Sequence, residues 1–251
     1  MNNHLFWLKF GLFSVGLGQS FAFVLVPPLA RDLGLSEIQT STIFAISAVA
    51  WAITSASWGR ASDNFGRRNI AVIGLIGYSI SIIALITPLF LVEQNLLAFV
   101  YLFPSLILGR LINGLIGSAT RPASFAYLAD ITPPEKRTVK FARMESSFWA
   151  GTVLGPLIGG FLFLFSQSLP FYLFAACALI AALQLYLKMP NTKVTTEIAN
   201  KINTISFRDA NALASLKEIV FILFAISVVT FVFGIFRYSC NAAINAQAAN
   251  K

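Results

Sequence analysis

Chemically reactive side chains are almost missing from this sequence. Of 251 residues one is histidine, His4, and two are cysteines, Cys177 and Cys240. A zinc or iron site needs several His, Cys or carboxylate ligands at set spacings, and a disulfide frame needs more cysteines than these. Ser/His and Cys/His hydrolytic centres lack their base for the same reason. Acidic residues are few, ten Asp plus Glu, and none lies deep in any of the first six apolar segments. These shortages point away from an enzyme, a metal site or a bound cofactor.

Charge as a whole is scarce. Charged residues make up 11% of the chain and hydrophobic ones 57%, whereas a soluble domain carries about 25% charged residues. The composition is that of a membrane protein, and the 24 phenylalanines suit a lipid-facing surface. The net charge of +8 is not a nucleic-acid signature, because most Lys and Arg sit in short segments between apolar runs. The first run starts near the N-terminus, yet at residues 5–29 it is too long for the core of a signal peptide and no A-x-A-like cleavage site follows it. It reads as a retained helix.

About 20 apolar residues cross the hydrocarbon core as a helix. Seven stretches qualify: 5–29, 40–58, 70–92, 96–119, 141–165, 169–187 and 216–236. The fourth is blurred, since 99–116 runs into the less apolar 121–129. Lys9, Arg60, Arg67, Arg68, Arg121, Lys136, Arg137, Lys140, Arg143 and the five basic residues of 188–217 all fall on one side. The other side has Arg31, then Arg237 and Lys251. The positive-inside rule places the N-terminus and the basic segments in the cytoplasm. The expected organisation is a six-helix bundle over 1–188, a polar cytoplasmic linker over 189–215, a seventh span over 216–236 and an irregular Ala/Asn-rich tail over 237–251.

Glycines recur at i, i+4 and i+8 in Gly151-Thr-Val-Leu-Gly155-Pro156-Leu-Ile-Gly159-Gly160. They put a flat stripe on one helix face, which lets two backbones approach closely in lipid. Pro156 removes one backbone donor mid-span and is expected to loosen and bend the helix. Between the second and third spans, Gly59-Arg60-Ala-Ser-Asp63-Asn64-Phe-Gly66-Arg67-Arg68 carries more than topology requires. Gly59 is expected to let the second helix end, Gly66 to supply a positive-φ turn, and Asp63 to cap a helix or pair with an arginine. Arg110 sits inside the fourth run, too deep to reach an interface easily, so it is expected to face a cavity or a partner. Asn113 lies one turn on. Gln19 sits mid-span in the first run and suits an interhelical hydrogen bond as well as a substrate contact. Phe21, Phe23, Phe125, Tyr127, Phe148 and Trp149 are candidates either for lipid-facing packing or for the wall of an apolar cavity.

The segment around Asp63 resembles the G-x-x-x-D-(R/K)-x-G-R-(R/K) signature of the major facilitator superfamily at Gly59, Asp63, Gly66, Arg67 and Arg68, departing from it at Asn64. The stripe resembles the G-x-x-x-G-P-x-x-G-G motif of that superfamily's antiporter branch at Gly151, Gly155, Pro156, Gly159 and Gly160. Arg110 and Gly114 resemble the family's R-x-x-x-G motif, with Asn113 in place of the usual glutamine. Residues 126–137 are similar to twelve-span drug:proton antiporters, including tetracycline exporters.

The resemblance implies an all-α membrane protein, with a major-facilitator six-helix N-terminal bundle followed by a linker and one further transmembrane helix. It implies alternating access about a central site, with Asp63 latching one conformation, Arg110 facing the cavity and coupled to protons, and Gly151–Gly160 making a tight contact at the interface between bundles. The implied activity is proton-coupled efflux of a small organic molecule, a drug or a siderophore-like metabolite, across a bacterial-type inner membrane. The implied partners are that substrate, protons and lipid. Most of a second bundle is missing from the sequence, so the alternative is a truncated fragment that transports nothing.

Overall fold

Without water, a backbone can satisfy its own N–H and C=O groups across lipid only as a helix or a closed barrel. The computed structural model describes residues 3–191, and these contain helices and no strand. They are α1 (Asn3–Asp32), α2 (Glu37–Phe65), α3 (Arg67–Glu93), α4 (Leu102–Leu115), α5 (Thr120–Asp130), α6 (Pro134–Phe163) and α7 (Leu169–Lys188). α4 and α5 are halves of one span, Phe99–Asp130, so six helical spans are long and apolar enough to cross a membrane. The expected linker beyond Asn191, the seventh span and the tail lie outside the described residues.

Most helices outrun their apolar cores, because caps and tertiary burial extend them past the point where hydropathy falls. α2 begins with a capping box: the Gln39 backbone N–H donates to Ser36 Oγ at 3.2 Å, and the Ser36 N–H to Gln39 Oε1 at 2.9 Å. It does not end at Gly59, as the sequence suggests, but runs on to Phe65. Only Gly66 interrupts it, at φ +94°, a conformation that side-chain-bearing residues rarely adopt. The expected second–third loop is therefore mostly helix. The fourth span likewise continues past residue 119 to Asp130, because Thr120, Ala123, Ser124 and Tyr127 are buried within the bundle.

α3 is central. Two thirds of its apolar stretch (67%) is buried, against 17% for α2 and 22% for α6. Leu75, Tyr78, Ile82 and Leu85 of α3 meet Leu8 and Leu12 of α1 and Phe171 and Phe174 of α7 in one core. The Tyr78 hydroxyl donates to the Val15 carbonyl at 3.2 Å, and Ser79 Oγ to the Ala175 carbonyl at 3.1 Å. Each of these bonds ties α3 to a neighbour with no water needed.

The closest helix pair is α1 with α6. A methyl group at Gly151 would strike the Phe13 carbonyl, one at Gly155 the Leu17 carbonyl and Ser20 Oγ, and one at Gly159 the ring of Phe21. Gly16 of α1 answers in kind, lying against the Phe148 carbonyl of α6. Gly160 has open space instead. Among the described residues the stripe thus packs inside the bundle, against α1. α6 remains one helix through Pro156.

This contact predicts a sharp positional contrast. Gly155→Val forces a side chain into a backbone carbonyl and is expected to cost more than the ~1–3 kcal/mol of ordinary overpacking. Gly160→Ala is expected to lie within about 0.5 kcal/mol of wild type. Thermal unfolding of the detergent-purified chain measures both, and equal melting temperatures for the two variants would refute the packing.

Candidate functional site

The fourth span is not a uniform helix. Between α4 and α5 the chain tightens into a 3-10 turn, Gly117–Ala119, with the Ala119 N–H donating to the Ile116 carbonyl. Such a turn within a helix leaves carbonyls without their usual i+4 donor. α2 takes them up. Trp58 Nε1 donates to the Leu115 carbonyl at 2.6 Å, and Thr54 Oγ1 to the Gly114 carbonyl at 2.8 Å. Thr54 also lies 2.9 Å from Ser118 Oγ. The break is therefore a satisfied, specified feature of the span.

On either side of it, Arg110, Asn113, Gly117, Thr120 and Arg121 share one face and line a cavity of about 400 Å³. α1 contributes Gln19, Ser20 and Phe23, α2 contributes Phe44, Ser47 and Trp51, and α6 contributes Phe148, Trp149 and Thr152. Gln19, Arg110 and Asn113, scattered over almost a hundred residues of sequence, thus meet at one site. Of the six aromatic candidates, Phe23, Phe148 and Trp149 wall the cavity. Phe21 and Tyr127 belong to the buried core, and Phe125 packs against it.

Arg110 is 2% exposed, and its Nε and Nη1 have no hydrogen-bond partner among the described residues. Its guanidinium carbon lies 4.8 Å from the ring centre of Phe44 and 5.5 Å from that of Phe23, and the two rings stack 4.6 Å apart. Such contacts stabilise a cation by about 0.5–2 kcal/mol, but a ring face accepts no in-plane hydrogen bond. Both nitrogens are also sealed from solvent.

Arg121 corrects the sequence reading. Counted there as a topology-setting residue, it lies instead within the fourth span. It forms an ion pair with Glu145 of α6 and stands 4.5 Å from the ring centre of Phe148. The cue was available: Arg121 follows Arg110 by 11 residues, three helical turns, which places both on one face. Glu145 sits near the start of the expected fifth span and carried no weight there.

A second cluster forms at the end of the bundle where α2, α4–α5 and α7 finish. Arg67 is 5% exposed and bridges two carboxylates, with Nη1 2.5 Å from Asp63 Oδ1 and Nε 2.9 Å from Asp130 Oδ2. Its Nη1 also donates to Ser62 Oγ at 2.6 Å. Gly66 makes this possible by turning the chain between Asp63 and Arg67. Arg68 points elsewhere, toward the Met189 carbonyl at 3.4 Å and the Tyr186 ring. Gly59 lies one turn earlier within α2, where its carbonyl accepts from Ser62 Oγ at 2.7 Å.

A sequence description of the Major Facilitator Superfamily matches residues 8–244. The chain is 29% identical over 196 residues to the quinolone resistance protein NorA of Staphylococcus aureus, covering 78% of this chain and 47% of that protein. It is 31% identical over 172 residues to multidrug resistance protein 1 of Bacillus subtilis strain 168, covering 68% of this chain and 41% of that one. The chain spans about half the length of the curated relatives it matches.

The bridge made by Arg67 predicts energetic coupling. A double-mutant cycle of Arg67→Gln with Asp130→Asn, read by thermal unfolding, is expected to give an interaction of about 0.5–3 kcal/mol. Strict additivity would show that the two side chains do not support each other.

Proposed function

This chain belongs to the major facilitator superfamily, and from that premise we propose that it serves in secondary active efflux of small organic molecules across a bacterial-type inner membrane. We assign residues 1–188 to the first bundle, 189–215 to a linker and 216–236 to the first span beyond it. The N-terminus and the basic segments are cytoplasmic in this reading, which the asymmetry of Lys and Arg supports. The observation that carries the proposal is a buried guanidinium, with no acceptor for two of its nitrogens among the described residues, lining a cavity inside an apolar bundle. Ionisable groups at such positions mark substrate and ion pathways. The names of the relatives, a quinolone resistance protein and a multidrug resistance protein, support drug-like cargo. The protein is not an enzyme in this reading.

Alternating access assigns the roles. Gln19, Arg110 and Asn113 contact the cargo or the coupling proton. Gly59, Asp63, Gly66, Arg67 and Arg68, joined by Asp130, latch the cytoplasmic end in one conformation. Gly151, Gly155, Pro156, Gly159 and Gly160 hold α6 on α1 while the bundle moves as a unit. The poorly covered faces of α2 and α6, with Trp51 40% and Leu157 70% exposed, are where a second bundle would close the site. Those open faces also favour the rival reading, that this stretch of chain transports nothing without such a partner.

Reconstituted vesicles decide between the two. The full chain is expected to release an imposed pH gradient several-fold faster when a small aromatic cargo is supplied. Arg110→Gln is expected to lower that rate at least tenfold while melting within a few degrees of wild type. A rate equal to that of protein-free vesicles would overturn the efflux reading and leave the rival.

A further inference from the structure

We infer that the corner of the bundle where α1 and α3 begin and α7 finishes is a binding site for an anionic phospholipid, its headgroup held by Arg68 and Lys188. Four side chains from three helices build it. The Arg68 guanidinium carbon lies 5.0 Å from the ring centre of Tyr186, and Lys188 Nζ lies 5.5 Å from that of Trp7. The bond from Arg68 to the Met189 carbonyl brings it to the residue next to Lys188.

Neither cation is neutralised there. The ion pairs among the described residues are Arg31 with Glu37, Arg67 with Asp63 and Asp130, and Arg121 with Glu145. Arg67 thus takes both carboxylates of its own cluster, and none is left to Arg68 or Lys188. Arg68 reaches only Asn69 Oδ1 and the Met189 carbonyl, both at 3.4 Å, beyond the usual length of an N–H···O bond. A guanidinium carries five N–H donors, so most of its capacity is unspent. The rings hold the two cations in place but remove no charge from them. Arg68 is only partly buried and Lys188 is exposed, which opens both to a ligand from outside the bundle.

The surroundings suit a lipid more than a soluble anion. Trp and Tyr favour the level between headgroups and hydrocarbon, and Trp7 and Tyr186 mark that level at this corner. Along α7, Leu179, Leu183 and Tyr186 recur at i, i+4 and i+7, and all three are exposed. They form an apolar track from the cations toward the middle of the span, along which an acyl chain can lie. In the orientation proposed above this end faces the cytoplasmic leaflet, where basic groups between helices attract anionic headgroups. Two neighbouring cations also discriminate. Phosphatidylglycerol brings only negative charge, whereas the ammonium of a zwitterionic headgroup would meet repulsion. The corner is built from α1, α3 and α7, not from the open faces of α2 and α6, so it rests on neither reading of transport.

Native mass spectrometry tests the site on the full chain, purified in detergent, delipidated and offered phosphatidylglycerol and phosphatidylcholine with the same acyl chains. Phosphatidylglycerol is expected to be the first lipid bound by about tenfold, and Arg68→Gln combined with Lys188→Gln to reduce that preference to about twofold or less. Lys136→Gln combined with Arg143→Gln removes the same charge from the start of α6 and is expected to leave the preference within about twofold of wild type. Should the Arg68 variant fail to fold, Lys188→Gln alone carries the test, with a loss of about threefold expected. Three outcomes would overturn the proposal. Equal uptake of the two lipids would mean no headgroup selection, and equal losses in the two double variants would mean only a diffuse basic surface. Displacement of the lipid by glycerol 1-phosphate at the same concentration would mean a site for a soluble phosphate.

Discussion

The close approach of α1 and α6 is the contact on which the rest depends. Lipid gives no hydrophobic drive for one helix to seek another, so backbone proximity and van der Waals contact must supply it. Gly16 on one helix and Gly151, Gly155 and Gly159 on the other remove the side chains that would hold them apart. Once α6 is set against α1, its other residues have fixed directions. Phe148, Trp149 and Thr152 turn to the cavity, and Glu145, a turn below, meets Arg121. The α6 wall of the cavity and the charged pair are consequences of one helix placement.

The polar chemistry of the bundle is divided between two places with different physics. At the basic end, Arg67 is buried but shares its charge with two half-exposed carboxylates and a hydroxyl. Removing a partner from such a cluster leaves a buried charge poorly compensated, which is costly. At the cavity, Arg110 has aromatic neighbours, and two of its nitrogens have no acceptor among the described residues. The first arrangement is satisfied among the described residues, and the second is not.

Between these places the fourth span changes from α4 to α5 through a 3-10 turn. The change is tolerated because Thr54 and Trp58 of α2 satisfy the carbonyls it frees. It lies between the two guanidiniums on the same helix face, so α2 is coupled to the position of both.

Hydropathy and the count of Lys and Arg were enough to reveal a membrane bundle and its first six spans, because hydrocarbon imposes one length and one backbone solution on every crossing segment. The motif spacings in turn exposed the family, Arg110 as a buried cation, and the positive φ at Gly66. What the sequence could not decide was which partner each feature would meet. Asp63 might have capped a helix or paired with an arginine, and only the turn at Gly66 brought it to Arg67, with Asp130 arriving from the far end of the fourth span. The glycine stripe was visible, but its partner, α1 within the same bundle, was not, since a flat face fits any other flat face. Arg121 and Glu145 looked like segment-end charges until tertiary burial carried both helices past their apolar cores. Local chemistry sets what a segment can do in lipid; the packing of one helix on another decides which charges are left without a partner.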